Sequence, residues 1–101
     1  GLPVAMASDF NPGTSPSGNM QFVMSAACIR YKMTPEEAFN ATTLNTAYAM
    51  DVSHELGSIT KGKLANVIIT KPMNGLEFMP YYYGANKVDK VIIKGKLKVE
   101  N

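Results

Sequence analysis

The sequence holds one cysteine, one histidine and no tryptophan in 101 residues. A lone cysteine, Cys28, excludes an internal disulfide framework and any zinc site built on clustered cysteines. A lone histidine, His54, cannot make a catalytic zinc site unaided, since such a site takes about three protein ligands. Charge of one sign is scarce as well: ten Lys plus Arg against eight Asp plus Glu leave +2. That is too little for the basic footprint of a nucleic-acid binder, so no nucleic-acid partner is expected. No apolar run approaches the ~20 residues that cross a bilayer, so no membrane partner is expected either. The opening Gly1-Leu2-Pro3-Val4 lacks the basic region and cleavage pattern of a signal peptide, which makes the cytoplasm the default compartment. What the chain does have is 46% hydrophobic and 18% charged residues, a globular balance at the length of one small domain. It starts without Met on an apolar run with no cap or turn ahead of it. A piece of a longer protein is the expectation.

Residues 2–7 are apolar and end abruptly in Ser8-Asp9, the pattern of a buried strand in a covered parallel sheet. Asn11-Pro12-Gly13 and Ser15-Pro16-Ser17-Gly18 are dense turn signals, predicting a loop over residues 10–18. It exceeds the ~2–6 residues of a plain strand-to-helix connection. From Asn19 a helical stripe follows: Met20, Val23, Met24, Ala27 and Tyr31, with Gly18 or Asn19 as cap. Thr34-Pro35-Glu36-Glu37 starts a second helix through a capping box, with Ala38, Ala41 and Leu44 on its buried side. Asn45-Thr46 predicts the cap of a short third helix reaching Met50. Beyond Asp51 the apolar segments become β-rich. Residues 65–70 and 88–94 read as strands, and Lys94-Gly95-Lys96 turns into a last short one. Residues 79–84 read as loop. The division falls between 1–52 and 53–101.

Asp9 is the leading candidate for chemistry. It stands at the carboxyl end of the predicted buried strand, where α/β sheets and barrels build their sites. A carboxylate there can ligate a metal or take a proton from an activated water; it can equally satisfy loop amides as an Asx-turn residue. Asn11, Gly13 and Thr14 follow, combining an amide, a backbone open to close approach and a hydroxyl. They could hold a polar ligand, or they are an ordinary Pro-Gly turn. His54 lies in a polar stretch and is expected to face solvent. Cys28 reads as a small packed residue, and Met20, Met24 and Met33 as core filling. Of Tyr81, Tyr82 and Tyr83 at least one should pack inward.

The run Val4-Ala5-Met6-Ala7-Ser8-Asp9-Phe10-Asn11-Pro12-Gly13-Thr14-Ser15-Pro16 closely resembles the signature of the imidazolonepropionases, metal-dependent amidohydrolases of histidine degradation. Met33-Thr34-Pro35-Glu36-Glu37-Ala38 with Asn40-Ala41-Thr42 is similar to the same family. So are Gly57-Ser58-Ile59 with Lys61-Gly62-Lys63 and Ala65, and Pro80-Tyr81 with Gly84 and Asn86. Two positions depart from the pattern: Asn66 stands where amidohydrolases commonly carry Asp, and Tyr82 where many members carry His.

That resemblance implies an α/β fold class. The chain would be a C-terminal fragment of a (β/α)8 amidohydrolase barrel, comprising the last strand and following helices, with the C-terminal strands of the flanking β domain. It implies Asp9 as metal ligand and catalytic carboxylate, and Asn11, Gly13 and Thr14 as contacts to substrate or ring-opened product. The cofactor implied is a zinc or iron ion. The implied reaction is hydrolysis of 4-imidazolone-5-propanoate to N-formimidoyl-L-glutamate. The remaining ligands would be histidines on earlier strands, so the fragment alone is expected to be inactive. With its strand neighbours missing it should expose an apolar patch and self-associate, and its β half should be the better ordered. The alternatives are another amidohydrolase, deaminase-like, or a non-catalytic interaction domain.

Overall fold

The structure, a computed structural model, describes residues 2–81 and 84–100. Its elements run α1 (Met20–Arg30), α2 (Pro35–Thr42), α3 (Leu44–Ala49), β1 (Val67–Thr70), α4 (Phe78–Tyr81), β2 (Val88–Ile93) and β3 (Lys96–Glu100). The strands form one sheet in the order β1-β2-β3, antiparallel at both pairings.

Local chemistry sets most of these boundaries. Asn19 caps α1, its Oδ1 accepting the Gln21 amide at 3.0 Å and the Phe22 amide at 3.3 Å. Both halves of the predicted capping box of α2 are present. Thr34 Oγ1 accepts the Glu37 amide at 3.1 Å, and the Thr34 amide donates to Glu37 Oε1 at 3.0 Å. Lys94 and Gly95 both have positive φ, 51° and 78°, as a two-residue hairpin turn requires. The hairpin tip is fastened to the residues before β1. The Lys94 amide donates to Asn66 Oδ1 at 2.9 Å and the Gly95 amide to the Ala65 carbonyl at 3.1 Å.

The core gathers Met24, Ala27, Ala38 and Met79, with Met6, Met33 and Phe39 packed against it. It therefore joins α1 and α2 to the segment between β1 and β2. No residue of the three strands is buried.

Several expectations are corrected. Residues 2–7 enter no sheet, and Leu2 is 90% exposed. The sheet lies elsewhere in the chain, so this run settles on the helices. The Met6 amide donates to the Ala41 carbonyl at 2.9 Å, Asn45 Nδ2 to the Val4 carbonyl at 2.9 Å and Thr46 Oγ1 to the Met6 carbonyl at 3.2 Å. Those contacts also explain why Asn45 and Thr46 do not cap α3, which begins at Leu44 after Thr43. Leu44 is exposed because the chain turns at Thr43 and leaves the face of α2. Tyr31 is exposed because it lies past the end of α1. Residues 78–81 are helical rather than loop. Phe78, Met79 and Tyr81 donate to the carbonyls of Gly75, Leu76 and Glu77, and Pro80 sits in a first turn where its missing N–H costs nothing. Met79 goes into the core, whereas Tyr81 is exposed. Tyr82 and Tyr83, named above, lie outside the described residues.

Candidate functional site

Asp9, Asn11, Gly13 and Thr14 come together in one small closed turn. Pro12-Gly13 reverses the chain, and an antiparallel bridge closes it. The Asn11 amide donates to the Ser15 carbonyl at 2.8 Å, and the Ser15 amide returns to the Asn11 carbonyl at 3.3 Å. Inside this frame Asn11 Oδ1 accepts the Gly13 amide at 2.9 Å and the Thr14 amide at 2.8 Å. Asn11 Nδ2 donates to the Asp9 carbonyl at 2.7 Å and to Thr14 Oγ1 at 3.2 Å. Ser15 Oγ donates to the Ser8 carbonyl at 2.6 Å and ties the far side of the turn to its entrance.

Asp9 has a left-handed backbone, φ 49°, which Asp tolerates better than most residues. It is exposed, and among the described residues its carboxylate has no hydrogen-bond or ion-pair partner. Gly13 is suited to its place by contact: a Cβ there would stand 3.3 Å from Asn11 Oδ1.

The other candidates stay apart. His54 is exposed, as expected. Cys28 is half-buried against the core, where burial, followed by the Glu36 carboxylate, pushes its thiol pKa up. A catalytic thiol requires the opposite shift. A cleft of about 870 Å³ opens between α2, α3 and the stretch leading into β1, lined by Phe39, Ala47, Met50, Val52, Leu56 and Ile68 among others. It carries no titratable side chain and no residue of the Asp9 turn. Among the described residues no group of three or more His, Cys, Asp or Glu could hold a metal ion. The Asp9 carboxylate fits one ligand's share of a metal site, and the described residues complete none. No helix of the described residues is long and apolar enough to cross a membrane.

Sequence reasoning missed Gln21. This side chain is 7% exposed, on the face of α1 that also buries Met24 and Ser25. Its Nε2 donates to the Met79 and Ala85 carbonyls at 3.2 Å each, and its Oε1 accepts the Lys87 amide at 3.1 Å. The signal was a polar residue three and four positions before Met24 and Ser25, hence on their face.

The sequence model of the amidohydrolase family matches residues 1–98. An imidazolonepropionase of Christiangramia forsetii is 62% identical over 96 residues, covering 95% of this chain and 23% of the relative. The chain thus spans about a quarter of the length of the curated relatives it matches. An amidohydrolase from Thermotoga maritima superposes over 90% of this chain and 21% of that one, with a TM-score of 0.69 at 21% identity. Guanine deaminase of E. coli superposes over 91% of this chain and 27% of that one, with a TM-score of 0.75 at 17% identity. Those two likenesses speak to fold alone, which is an α/β arrangement shared with amidohydrolases. With the family model matching nearly from end to end, the chain belongs to the amidohydrolase family.

Proposed function

We propose that this chain is the C-terminal part of an imidazolonepropionase, and that the full-length protein hydrolyses 4-imidazolone-5-propanoate to N-formimidoyl-L-glutamate. The observation that carries the reading is the 62% identity to a protein of that name across 95% of the chain. The closed turn supports it by presenting one carboxylate, Asp9, beside an exposed hydroxyl, Thr14. In this reading residues 1–52 contribute the last barrel strand, the site loop and its helices. Residues 53–101 contribute strands to a flanking β domain. Asp9 is one ligand of a zinc or iron ion, and the turn of Asn11, Gly13 and Thr14 is the wall beside the substrate. The compartment is the cytoplasm.

When bound, such an ion would lower the pKa of a water to roughly 7 and polarise the carbonyl under attack. The chain's own contribution is proton transfer. The Asp9 carboxylate accepts a proton from the attacking water and returns it to the ring nitrogen. The water oxygen ends on the carbonyl carbon, and the ring C–N bond breaks. With no hydrogen bond to another side chain among the described residues, the carboxylate oxygen not held by the ion is free to take and release that proton.

Steady-state hydrolysis by the metal-replete full-length protein tests the assignment. Turnover is expected, and Asp9→Ala should lower kcat by about 10²–10⁴. No turnover by the wild-type protein, or an undiminished rate in Asp9→Ala, would overturn it.

A further inference from the structure

We propose that Asn74-Gly75 is a self-modification site, at which the Asn74 side chain loses ammonia with the Glu77 carboxylate as the base. The site stands apart from the function proposed above and does not depend on it. The side-chain amide of asparagine is thermolabile, because the next backbone nitrogen can attack it and close a succinimide ring. A glycine in the next position leaves that nitrogen open, since no Cβ stands in the way. Asn74-Gly75 is the one Asn-Gly pair of the sequence. Asn74 is exposed, in the bend between β1 and α4. Among the described residues no hydrogen bond holds its side chain or the Gly75 amide, so neither reacting group must first break one. The Gly75 carbonyl is held, accepting the Phe78 amide at 3.2 Å. Glu77 then fills the place that a side chain at Gly75 would take, for a Cβ there would lie 2.6 Å from its Oε1. The carboxylate thus sits against the Cα next to the attacking nitrogen, within reach of its proton directly or through one water. Among the described residues no hydrogen bond or ion pair engages it.

Glu77 takes the Gly75 N–H proton as the nitrogen bonds to Asn74 Cγ. The Cγ–Nδ2 bond breaks, and Nδ2 leaves as ammonia with the proton that Glu77 returns. Water then opens the ring at either carbonyl, giving aspartate or, with the main chain rerouted through the side chain, isoaspartate. Met73 and Leu76, on either side of the pair, both pack against the core. Isoaspartate lengthens the main chain between them by one carbon, which a close-packed core does not absorb. The modification therefore loosens the segment that carries Met79 inward.

Peptide mapping by mass spectrometry of the folded full-length protein, aged at neutral pH, tests this. Acid and isoacid forms of the peptide holding residue 74 should accumulate in the wild type. Glu77→Gln should slow them about 10–100-fold, at or below the low end for a positioned base, because this carboxylate is exposed to water. Gly75→Ala should stop them, since its Cβ both shields the nitrogen and displaces the carboxylate. In denaturant the wild type and Glu77→Gln should age at one rate, because only the fold delivers the base. An Asn74 that stays intact in the wild type, or a folded Glu77→Gln that ages as fast, overturns the inference. A Glu77→Gln effect that persists undiminished in denaturant overturns it as well.

Discussion

At the scale of single residues, polar side chains here are spent on the backbone far more than on one another. Asn11, Asn19, Gln21, Thr34, Asn45 and Asn66 each bond main-chain groups. Asp9 is the exception in the site turn, an exposed carboxylate without a hydrogen-bond or ion-pair partner among the described residues. Cys28 shows the opposite economy. Burial is the first cause of its raised thiol pKa and the Glu36 carboxylate the second. The folded chain therefore holds the thiol proton more tightly than the unfolded chain does. That contribution to stability is full below the ordinary thiol pKa and fades as pH rises through the raised value. Iodoacetamide at pH ~8 should alkylate Cys28 more slowly in the folded protein than in denaturant, because the thiolate is the reacting species. Equal rates in both states would contradict it.

At the scale of elements, α1 is the hub. Its first turn carries Gln21, whose amide reaches Met79, Ala85 and Lys87, residues 58 to 66 positions away. One side chain thereby fixes where the chain passes between α4 and β2. α4 has only four residues and cannot hold itself; burying Met79 and meeting the Gln21 amide hold it in place. Gln21→Leu keeps the bulk but removes every one of these bonds. It should cost about 1–3 kcal/mol of local stability, because buried carbonyls lose their donor. Faster exchange of the Lys87 amide in the full-length protein reads it directly. Unchanged protection there would mean that Met79 alone anchors the segment.

At the scale of the whole molecule, the surface is too large for the mass. The accessible area is 7290 Å², against ~5,600 Å² expected of a folded chain of 11.0 kDa. The sheet shows why. Ile68, Ile69, Leu97 and Val99 are all more than two-fifths exposed, and consecutive strand residues point to opposite faces. Both faces are thus apolar and open. Relatives of four times the length have the chain to cover them. Alone, this chain should self-associate, turn over no substrate and lose zinc on dialysis. Sedimentation velocity across a concentration series and metal analysis decide this. A monomer at every concentration, or stoichiometric zinc surviving dialysis, would go against it.

What the sequence determined by itself is a set of caps and turns that polar side chains and glycine close within a few residues. The Thr34–Glu37 capping box, the Asn19 cap, the Lys94-Gly95 hairpin turn and the Asn11-Pro12-Gly13 reversal all join groups two or three positions apart. Such bonds need no partner from elsewhere in the chain, so the residues that make them announce them. The family signature was legible for the same reason, since Asp9 to Thr14 form a single continuous turn. Only the tertiary structure decided which apolar runs are buried. Residues 2–7 read as a strand, yet a strand exists only where another offers it a ladder, and these residues meet α2 and α3 instead. Met79 read as loop, yet the space beside Met24, Ala27 and Ala38 drew it into the core. Gln21 did not stand out in the sequence, because its partners arrive from more than fifty residues downstream. Burial and long-range pairing depend on what the rest of the chain brings alongside, and no local window of sequence contains that.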